Sequence, residues 1–276
     1  MRSPTGNARI APGVVRGFPD LIPTQCQRHI VQPLHLSSWG EDGPVNSFGE
    51  IRLEWGDSDF RTADLAQIGL LPLMAADKTL LATTGLPVSP KKALTLHLRF
   101  ESIFIDHQPH AVRALRDTDI EKGPLYLPFP GSRPNLDSFV VLGRVIDECK
   151  DEKLDLAART PYEALRRLLC LDGVSGHVWW LYPELCEGQI WCHTINTSLG
   201  AYLASLLAYK RFREGWQDLP ALDSMEYDEQ AMQAYDVQAD ALHGQFLAKL
   251  EAADPAGFKG GFWEEHAWNE HILLHS

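Results

Sequence analysis

The sequence predicts an α+β fold in which a central antiparallel sheet, a meander, has helices packed around it. Short β-type runs follow one another at residues 139–145, 167–172, 177–183 and 189–196. The turns that join the last three runs are too short for the long crossover that a parallel pair of strands needs. The fourth run leads directly into an amphipathic stretch from Leu199, and a helix in this position is expected to pack against the sheet.

The chain before the meander is expected to contribute an arm and the first elements of the domain. Residues 1–47 contain six prolines and several glycines with little periodicity, which favours an extended N-terminal arm. Residues 48–276 are expected to form one domain. Apolar and polar residues alternate over 94–101, which predicts a half-buried strand. A helix-prone insert at 147–165 separates the first two runs of the meander.

A short helix is predicted within Asp77–Pro87, with Asp77 near its start. Gly85 suits the left-handed position that closes a helix, and Pro87 cannot continue one. The helix is therefore expected to end near Thr84.

A long helix is predicted from Leu199. Either Asn196 or Ser198 is expected to cap it, because the side-chain oxygens of these residue types accept hydrogen bonds from the free N–H groups of a first helical turn. The apolar residues recur at three- and four-residue spacing: Leu199, Tyr202, Leu203, Leu206 and Leu207. Three basic residues are expected near the negative end of the helix dipole: Lys210, Arg211 and Arg213.

The composition, 45% hydrophobic and 22% charged over 276 residues, is that of a soluble globular protein. The longest apolar runs are shorter than the roughly 20 residues that a membrane helix needs, and no secretory signal follows the N-terminal arginines. The five cysteines, an odd number without compact spacing, are typical of reduced thiols. We therefore expect a cytoplasmic protein that does not bind a membrane, and the sequence leaves its oligomeric state open.

The net charge is −12, from 25 basic and 37 acidic residues, which argues against direct binding of nucleic acid. The same charge favours a basic protein partner. Acidic residues are concentrated in 223–240, which contains no lysine or arginine; the alternative is a solvated helical face without a partner. The candidate partner-binding acids are Asp223, Glu226, Asp228, Glu229, Asp236 and Asp240.

Trp179 and Trp180 are the other candidate contacts with a partner. Neighbouring residues of a strand point to opposite faces, so one is expected in the core and the other exposed or covered by the arm. The segment from Asp254 is expected to become helical. Its large apolar residues available for burial are Phe262, Trp263, Trp268, Ile272 and Leu273.

The sequence assigns no catalytic, cofactor-binding or metal site. Residues 266–271 resemble an inverted zinc-protease motif but carry one residue too many. His271 and His275 are favoured near the end of a helix by its dipole alone. Around the predicted hairpin, the spacing of the cysteines and histidines is not that of a zinc knuckle: Cys170, His177, Cys186, Cys192 and His193. A metal-dependent hydrolase that uses the C-terminal histidines is the least favoured alternative.

Several segments, taken in order, resemble the SUKH superfamily and, within it, the SUKH-4 group of bacterial immunity proteins. These segments are "GLP" after a helix, the strand "VVLG", the hairpin "LDGVSGHVWWL", the run "INTSLGAYLASLL", and an acidic tail with "DP" and a tryptophan-bearing helix. The resemblance covers about residues 48–276, and the arm and the insert fall outside the pattern.

The resemblance implies a central antiparallel sheet and a function that is binding rather than catalysis, namely neutralisation of a toxin delivered between competing bacteria. It further implies a toxin that is a nuclease or a nucleic-acid deaminase, whose basic cleft an acidic surface would fit. No cofactor is expected. The alternative is a scaffold or regulatory module of the broader superfamily that binds a cellular protein.

Overall fold

A computed structural model describes residues 48–56, 59–88, 95–98, 101–116, 119, 125–126, 134–147, 167–183, 190–220 and 229–274. All of these residues lie within the unit formed by residues 42–276. The predicted arm, 1–47, and residues 148–165 of the insert lie outside the described residues.

The helices of the described residues are α1 (Phe48–Trp55), α2 (Leu65–Gly69), α3 (Ala75–Thr83), α4 (Leu199–Gln217), α5 (Glu229–Ala253), α6 (Pro255–Phe258) and α7 (Phe262–Leu274). The strands are β1 (Phe60–Arg61), β2 (Leu86–Pro87), β3 (Thr95–Leu98), β4 (Glu101–His107), β5 (Arg113–Ala114), β6 (Leu125–Tyr126), β7 (Phe139–Asp147), β8 (Leu168–Asp172), β9 (Val178–Pro183) and β10 (Ile190–Asn196).

The large sheet has the strand order β3-β4-β7-β8-β9-β10-β6, and β5 pairs with the beginning of β7. Strands β7 to β10 form an antiparallel meander, which confirms the predicted α+β fold. The sequence did not indicate that β6 pairs with β10 in parallel at the edge, because a strand of two residues carries no periodic signal.

The strand predicted over 94–101 is two strands in the structure. Thr95–Leu98 forms β3, and Leu98 pairs with Glu101, the first residue of β4. The prediction was therefore wrong in assigning Glu101 to the first strand. Alternation continues across a tight hairpin, so the pattern alone does not mark the reversal.

Strands β7 and β8, in the middle of the meander, are mostly buried on both faces, as their nearly continuous apolar runs require. Alternate residues of the meander form a core cluster on one face: Phe139, Val141, Leu168, Cys170, Trp179, Leu181, Ile190 and Cys192. Residues that alternate with these on the other face are buried in β7 and β8, as is Val178 in β9: Val140, Leu142, Leu169, Leu171 and Val178. On the same face, Trp180 of β9 and Trp191 of β10 are half-buried. On this second face α7 contacts the sheet, and Phe262 meets Trp180 edge-on.

The predicted end of the short helix is confirmed. Helix α3 ends at Thr83, and Gly85 follows with a φ of +81°. A Cβ atom at this position would lie 2.1 Å from the carbonyl oxygen of Arg61. Glycine is therefore required both for the backbone conformation and for the close approach of β1 to β2.

Helix α4 begins as predicted, with Ser198 as its cap. The side-chain oxygen of Ser198 accepts a hydrogen bond from the backbone N–H of Ala201 at 3.0 Å. The predicted apolar stripe is buried against the rest of the domain.

The basic residues of α4 were wrongly placed at its end, because the helix continues to Gln217. They form ion pairs within and between helices instead: Lys210 with Glu214, Arg211 with Glu54, and Arg213 with Glu270.

His107 joins three elements in the core. Its Nδ1 lies 2.8 Å from the carbonyl oxygen of Pro87 in β2, and its Nε2 lies 2.7 Å from the hydroxyl of Tyr202 in α4. A carbonyl only accepts, so Nδ1–H donates to Pro87 and Nε2 accepts from the tyrosine O–H. Burial lowers the pKa of His107 to about 4, which keeps the ring neutral at physiological pH.

We predict that replacing Ser198 with alanine lowers the free energy of unfolding by about 1 kcal/mol, because the N–H of Ala201 loses its acceptor. Urea denaturation of the wild type and the variant measures the loss. The matched control is Ser198→Asp, which retains an acceptor and should remain close to the wild type. Equal losses for both substitutions would contradict the assignment of the cap.

We also predict that His107 makes the fold sensitive to acid. Its pKa of about 4 is below the ordinary value of 6.5, so the unfolded chain takes up the proton first as the pH falls. The stability contributed by the neutral ring is therefore complete above about pH 6.5 and is lost towards about pH 4, a loss of order 3 kcal/mol.

The measurement is urea denaturation of the wild type and of His107→Gln across this range. The variant is less stable at neutral pH but should lose less stability on acidification, because its amide does not titrate. His193 titrates in both proteins, since burial also lowers its pKa to about 4. Parallel pH profiles for the two proteins would contradict the prediction.

Candidate partner-binding surface

The C-terminal helices are attached to the sheet by a buried polar cluster around Asp254, which we call the Asp254 cluster. Its members are Asn196, Thr197, Ser205, Asp254, Gly257 and Trp263. Asn196 was one of the two expected caps, but it is fully buried and does not cap α4. Its amide nitrogen lies 3.1 Å from both Ser205 Oγ and Asp254 Oδ2, and its amide oxygen accepts from Trp263 Nε1 at 2.8 Å.

The carboxylate of Asp254 accepts four hydrogen bonds. One comes from Asn196, and two come from the backbone N–H and the hydroxyl of Thr197, at 2.7 and 2.6 Å. The fourth comes from the N–H of Gly257 at 3.0 Å, through which Asp254 caps α6. A carboxylate offers about four lone-pair sites, so the buried group is fully satisfied.

Gly257 permits this arrangement, because a Cβ atom there would lie 2.6 Å from Asp254 Oδ2. The Asp254 cluster thus fixes the end of β10, the start of α6 and, through Trp263, the first turn of α7. Helix α5 ends at Ala253, the residue immediately before Asp254. The positions of α5 and α7 therefore follow from one buried carboxylate.

Helix α5 packs one face against the core and presents another to solvent. Its buried residues are Tyr235, Ala239, Leu242, His243, Phe246 and Leu250. The candidate acids Glu229, Asp236 and Asp240 are exposed on α5. Asp223, Glu226 and Asp228 lie outside the described residues.

The three described acids share one side of α5 with residues nearer its end. Residues 236, 240, 247 and 251 recur at intervals of four or seven, so they line one side of the helix, and residue 229 lies two turns before 236 on that side. The buried His243 lies where this side borders the core-facing side. This acidic side of α5 begins with the predicted residues and continues to Leu247 and Glu251, which sequence reasoning did not identify.

At its far end, the acidic side of α5 borders a groove between α5 and α7, which we call the α5–α7 groove. Its volume is about 540 Å³. It is lined by His243, Leu247, Glu251, Phe258, Gly260, Gly261, Glu264, Glu265 and Trp268. The groove therefore combines apolar surface with three glutamates.

Trp268 in this groove was expected to be buried, and the structure contradicts this, since 62% of the residue is exposed. Phe262 and Trp263 are buried as expected, and the side chains of Ile272 and Leu273 lie outside the described residues. The buried face of α7 consists of Phe262, Trp263, His266, Ala267 and Glu270. Position 268 falls outside this three- and four-residue spacing, a signal that could have identified it.

The two tryptophans of β9 point to opposite faces, as expected. Trp179 is 5% exposed and belongs to the core cluster. Trp180 is half-buried and contacts Tyr182, His193 and Phe262. Trp180 is therefore the member of the pair that a partner can reach more readily, and its contact with a partner stays a prediction.

The histidines and cysteines that were considered as metal ligands do not assemble into a site within the described part of the chain, although Cys170 and Cys192 share the core cluster. Cys170 and Cys192 are buried thiols, and burial raises the pKa of Cys170 well above its ordinary value. His266 is fully buried beside Glu270. Cys186, His275 and the side chain of His271 lie outside the described residues. Within the described residues, no group of three or more potential ligands is close enough to hold a metal ion.

Among the described residues, no helix has both the length and the apolar character that crossing a membrane requires.

The antiparallel sheet, the capped α4 and the three C-terminal helices define an α+β protein. More specifically, a family model described as SUKH-4 immunity protein matches residues 47–273, and the chain belongs to this family. The match confirms the resemblance seen in the sequence. Comparisons with curated proteins and with solved structures find no match.

Proposed function

We propose that this protein neutralises one cognate toxin by binding it directly, without catalysis, and that the toxin is a basic nuclease or nucleic-acid deaminase. Membership of an immunity protein family supports the general function. The observation that carries the specific proposal is the acidic side of α5, which presents Glu229, Asp236 and Asp240 to solvent.

The charge of α5 suits a partner that normally binds phosphates. Its acidic residues are Glu229, Asp236, Asp240 and Glu251, and its one basic residue is Lys249. An enzyme that acts on nucleic acid needs a basic cleft, and carboxylates spaced along a rigid helix can occupy such a cleft in place of phosphates. The net charge of −12 adds long-range attraction to the same partner.

Binding without catalysis is consistent with the shifted pKa values of the described residues, which have structural causes. His107 and Tyr202 are buried in one hydrogen-bonded pair. Burial opposes ionisation of Asp172, but hydrogen bonds from Ser138, Ser175 and the backbone N–H of Val174 hold its pKa below the ordinary value. These bonds stabilise the turn between β8 and β9, so the carboxylate of Asp172 has a structural role.

The proposal places the protein in the cytoplasm, where such a toxin would meet its nucleic-acid substrate. The gene beside this one provides the partner to test.

We predict that co-expression of this protein restores the growth of cells that express the neighbouring gene product, and that the two proteins bind with an association rate that falls as salt increases. Asp236→Lys combined with Asp240→Lys should lower the association rate by about tenfold and change the dissociation rate little, because exposed charges chiefly steer the encounter. Stopped-flow or surface-based kinetics at two salt concentrations measure both rates.

The control is Asp137→Lys combined with Asp64→Lys, which makes the same change of charge at exposed acids outside α5. Asp64 caps α2, so the control must first be shown to remain folded. If the neighbouring protein neither binds this chain nor is toxic alone, the immunity proposal fails and a scaffold function becomes the better one. If the two proteins bind but the association rate does not depend on salt, the immunity proposal is retained and the electrostatic mechanism is contradicted.

A further inference from the structure

We propose that the α5–α7 groove is the anchor site for one long basic side chain, arginine or lysine, presented by the protein that this chain binds. The inference rests on the proposed function in that the toxin is the expected source of this side chain. It goes further by identifying which cavity of the acidic surface receives the partner.

The groove has the two chemical features that a long basic side chain requires. Leu247, Phe258 and Trp268 supply apolar surface for an aliphatic stem. Glu251, Glu264 and Glu265 supply carboxylates for the charged end. A volume of about 540 Å³ is ample for one such side chain.

Trp268 is the feature that favours an anchor over general attraction. It is the one tryptophan among the large apolar residues that are exposed in the described part of the chain, and 62% of it is accessible. The face of an indole ring attracts a guanidinium or ammonium group, most strongly where water is excluded. Tryptophan and arginine are also the residues that contribute most often to the energetic centre of protein interfaces.

The local charges leave the groove acidic. His193 interacts with Glu265, but burial lowers the pKa of His193 to about 4, so this ring is neutral at physiological pH. His243 also lines the groove, and its Nε2 lies 2.9 Å from the carbonyl oxygen of Ala267. Glu264 accepts a hydrogen bond from the backbone N–H of Gly260 at 2.5 Å, which fixes the carboxylate at the rim. The lysines on the adjoining segments are Lys249 and Lys259, fewer than the glutamates that line the groove.

Other occupants fit the same walls less well. An apolar side chain would bury the glutamates without supplying a donor, which is unfavourable. A phosphate or another anion would be repelled. The geometry thus points to a cation with an extended hydrophobic stem, which among protein side chains means arginine or lysine.

A peptide titration tests the groove without the toxin. The indole N–H signal of Trp268 in a ¹⁵N-labelled sample is assigned by its absence from Trp268→Phe, and hexa-arginine is then added at low salt. The signal should shift in a saturable manner. Hexa-citrulline, which has nearly the same shape without the charge, should not shift it, and Glu251→Gln combined with Glu265→Gln should weaken the response at least fivefold.

Kinetics with the neighbouring gene product form the second test. Trp268→Ala should raise the dissociation rate at least tenfold, because the anchor is lost, and change the association rate by less than twofold. The control is Leu70→Ala, which truncates a residue that is 91% exposed at the end of α2 and should leave both rates unchanged. Thermal unfolding confirms that both variants are folded.

The two tests separate the inference from the proposed function. Two outcomes would overturn the groove proposal without affecting the proposed immunity function. In the first, the toxin binds tightly but dissociates from Trp268→Ala as it does from the wild type. In the second, hexa-arginine shifts other exposed signals and not that of Trp268. If hexa-arginine titrates the Trp268 signal but the neighbouring protein does not bind, the groove proposal is supported and the proposed function fails.

Discussion

One buried carboxylate, that of Asp254, connects the sheet to the helices that carry the proposed binding surface. A carboxylate is costly to remove from water, and it is tolerated in the core only where donors surround it. Here four donors from β10, the segment after it and α6 meet its two oxygens. The directional requirements of these bonds allow α6 only one position relative to the end of β10.

This constraint extends to both walls of the α5–α7 groove. Trp263 in the first turn of α7 donates to Asn196, and α5 ends at the residue before Asp254. The glutamates and Trp268 that line the groove are thus placed by a cluster that does not itself face the solvent. A binding surface built in this way can change its exposed residues while the framework beneath it stays the same.

Much of the framework could be predicted from the sequence, because it depends on local patterns. The meander, the end of α3 and the start of α4 follow from alternation, a glycine and a serine that act within a few residues. The role of Asn196 could not be predicted in this way, since its acceptor on Asp254 is 58 residues away. A cap and a buried hydrogen-bonding residue have the same appearance in sequence when the distant partner is unknown.

The proposed binding surface was less predictable than the fold. The charge pattern of the sequence indicated the acidic helix α5. It could not indicate the α5–α7 groove, because the groove exists only through the packing of α7 beside α5. The prediction that Trp268 is buried was wrong, because it considered the apolar character of the residue and not the side of α7 on which it lies. Two of the segments that carry the family resemblance, "INTSLGAYLASLL" and "DP", contribute Asn196, Thr197, Ser205 and Asp254 to the Asp254 cluster. Their part in the resemblance therefore reflects the framework of the fold.

Asn196 and Asp254 stabilise the protein as one unit, through the hydrogen bond that joins them. A double-mutant cycle tests this coupling. Urea denaturation gives the free energy of unfolding of four proteins: the wild type, Asn196→Ala, Asp254→Ala and the double variant. We expect the double variant to be more stable than the sum of the single losses predicts, by about 1–2 kcal/mol, because the second substitution removes a partner that the first has already left unpaired. If the losses of unfolding free energy in the two single variants sum to that of the double variant within about 0.5 kcal/mol, the two residues act independently and are not coupled.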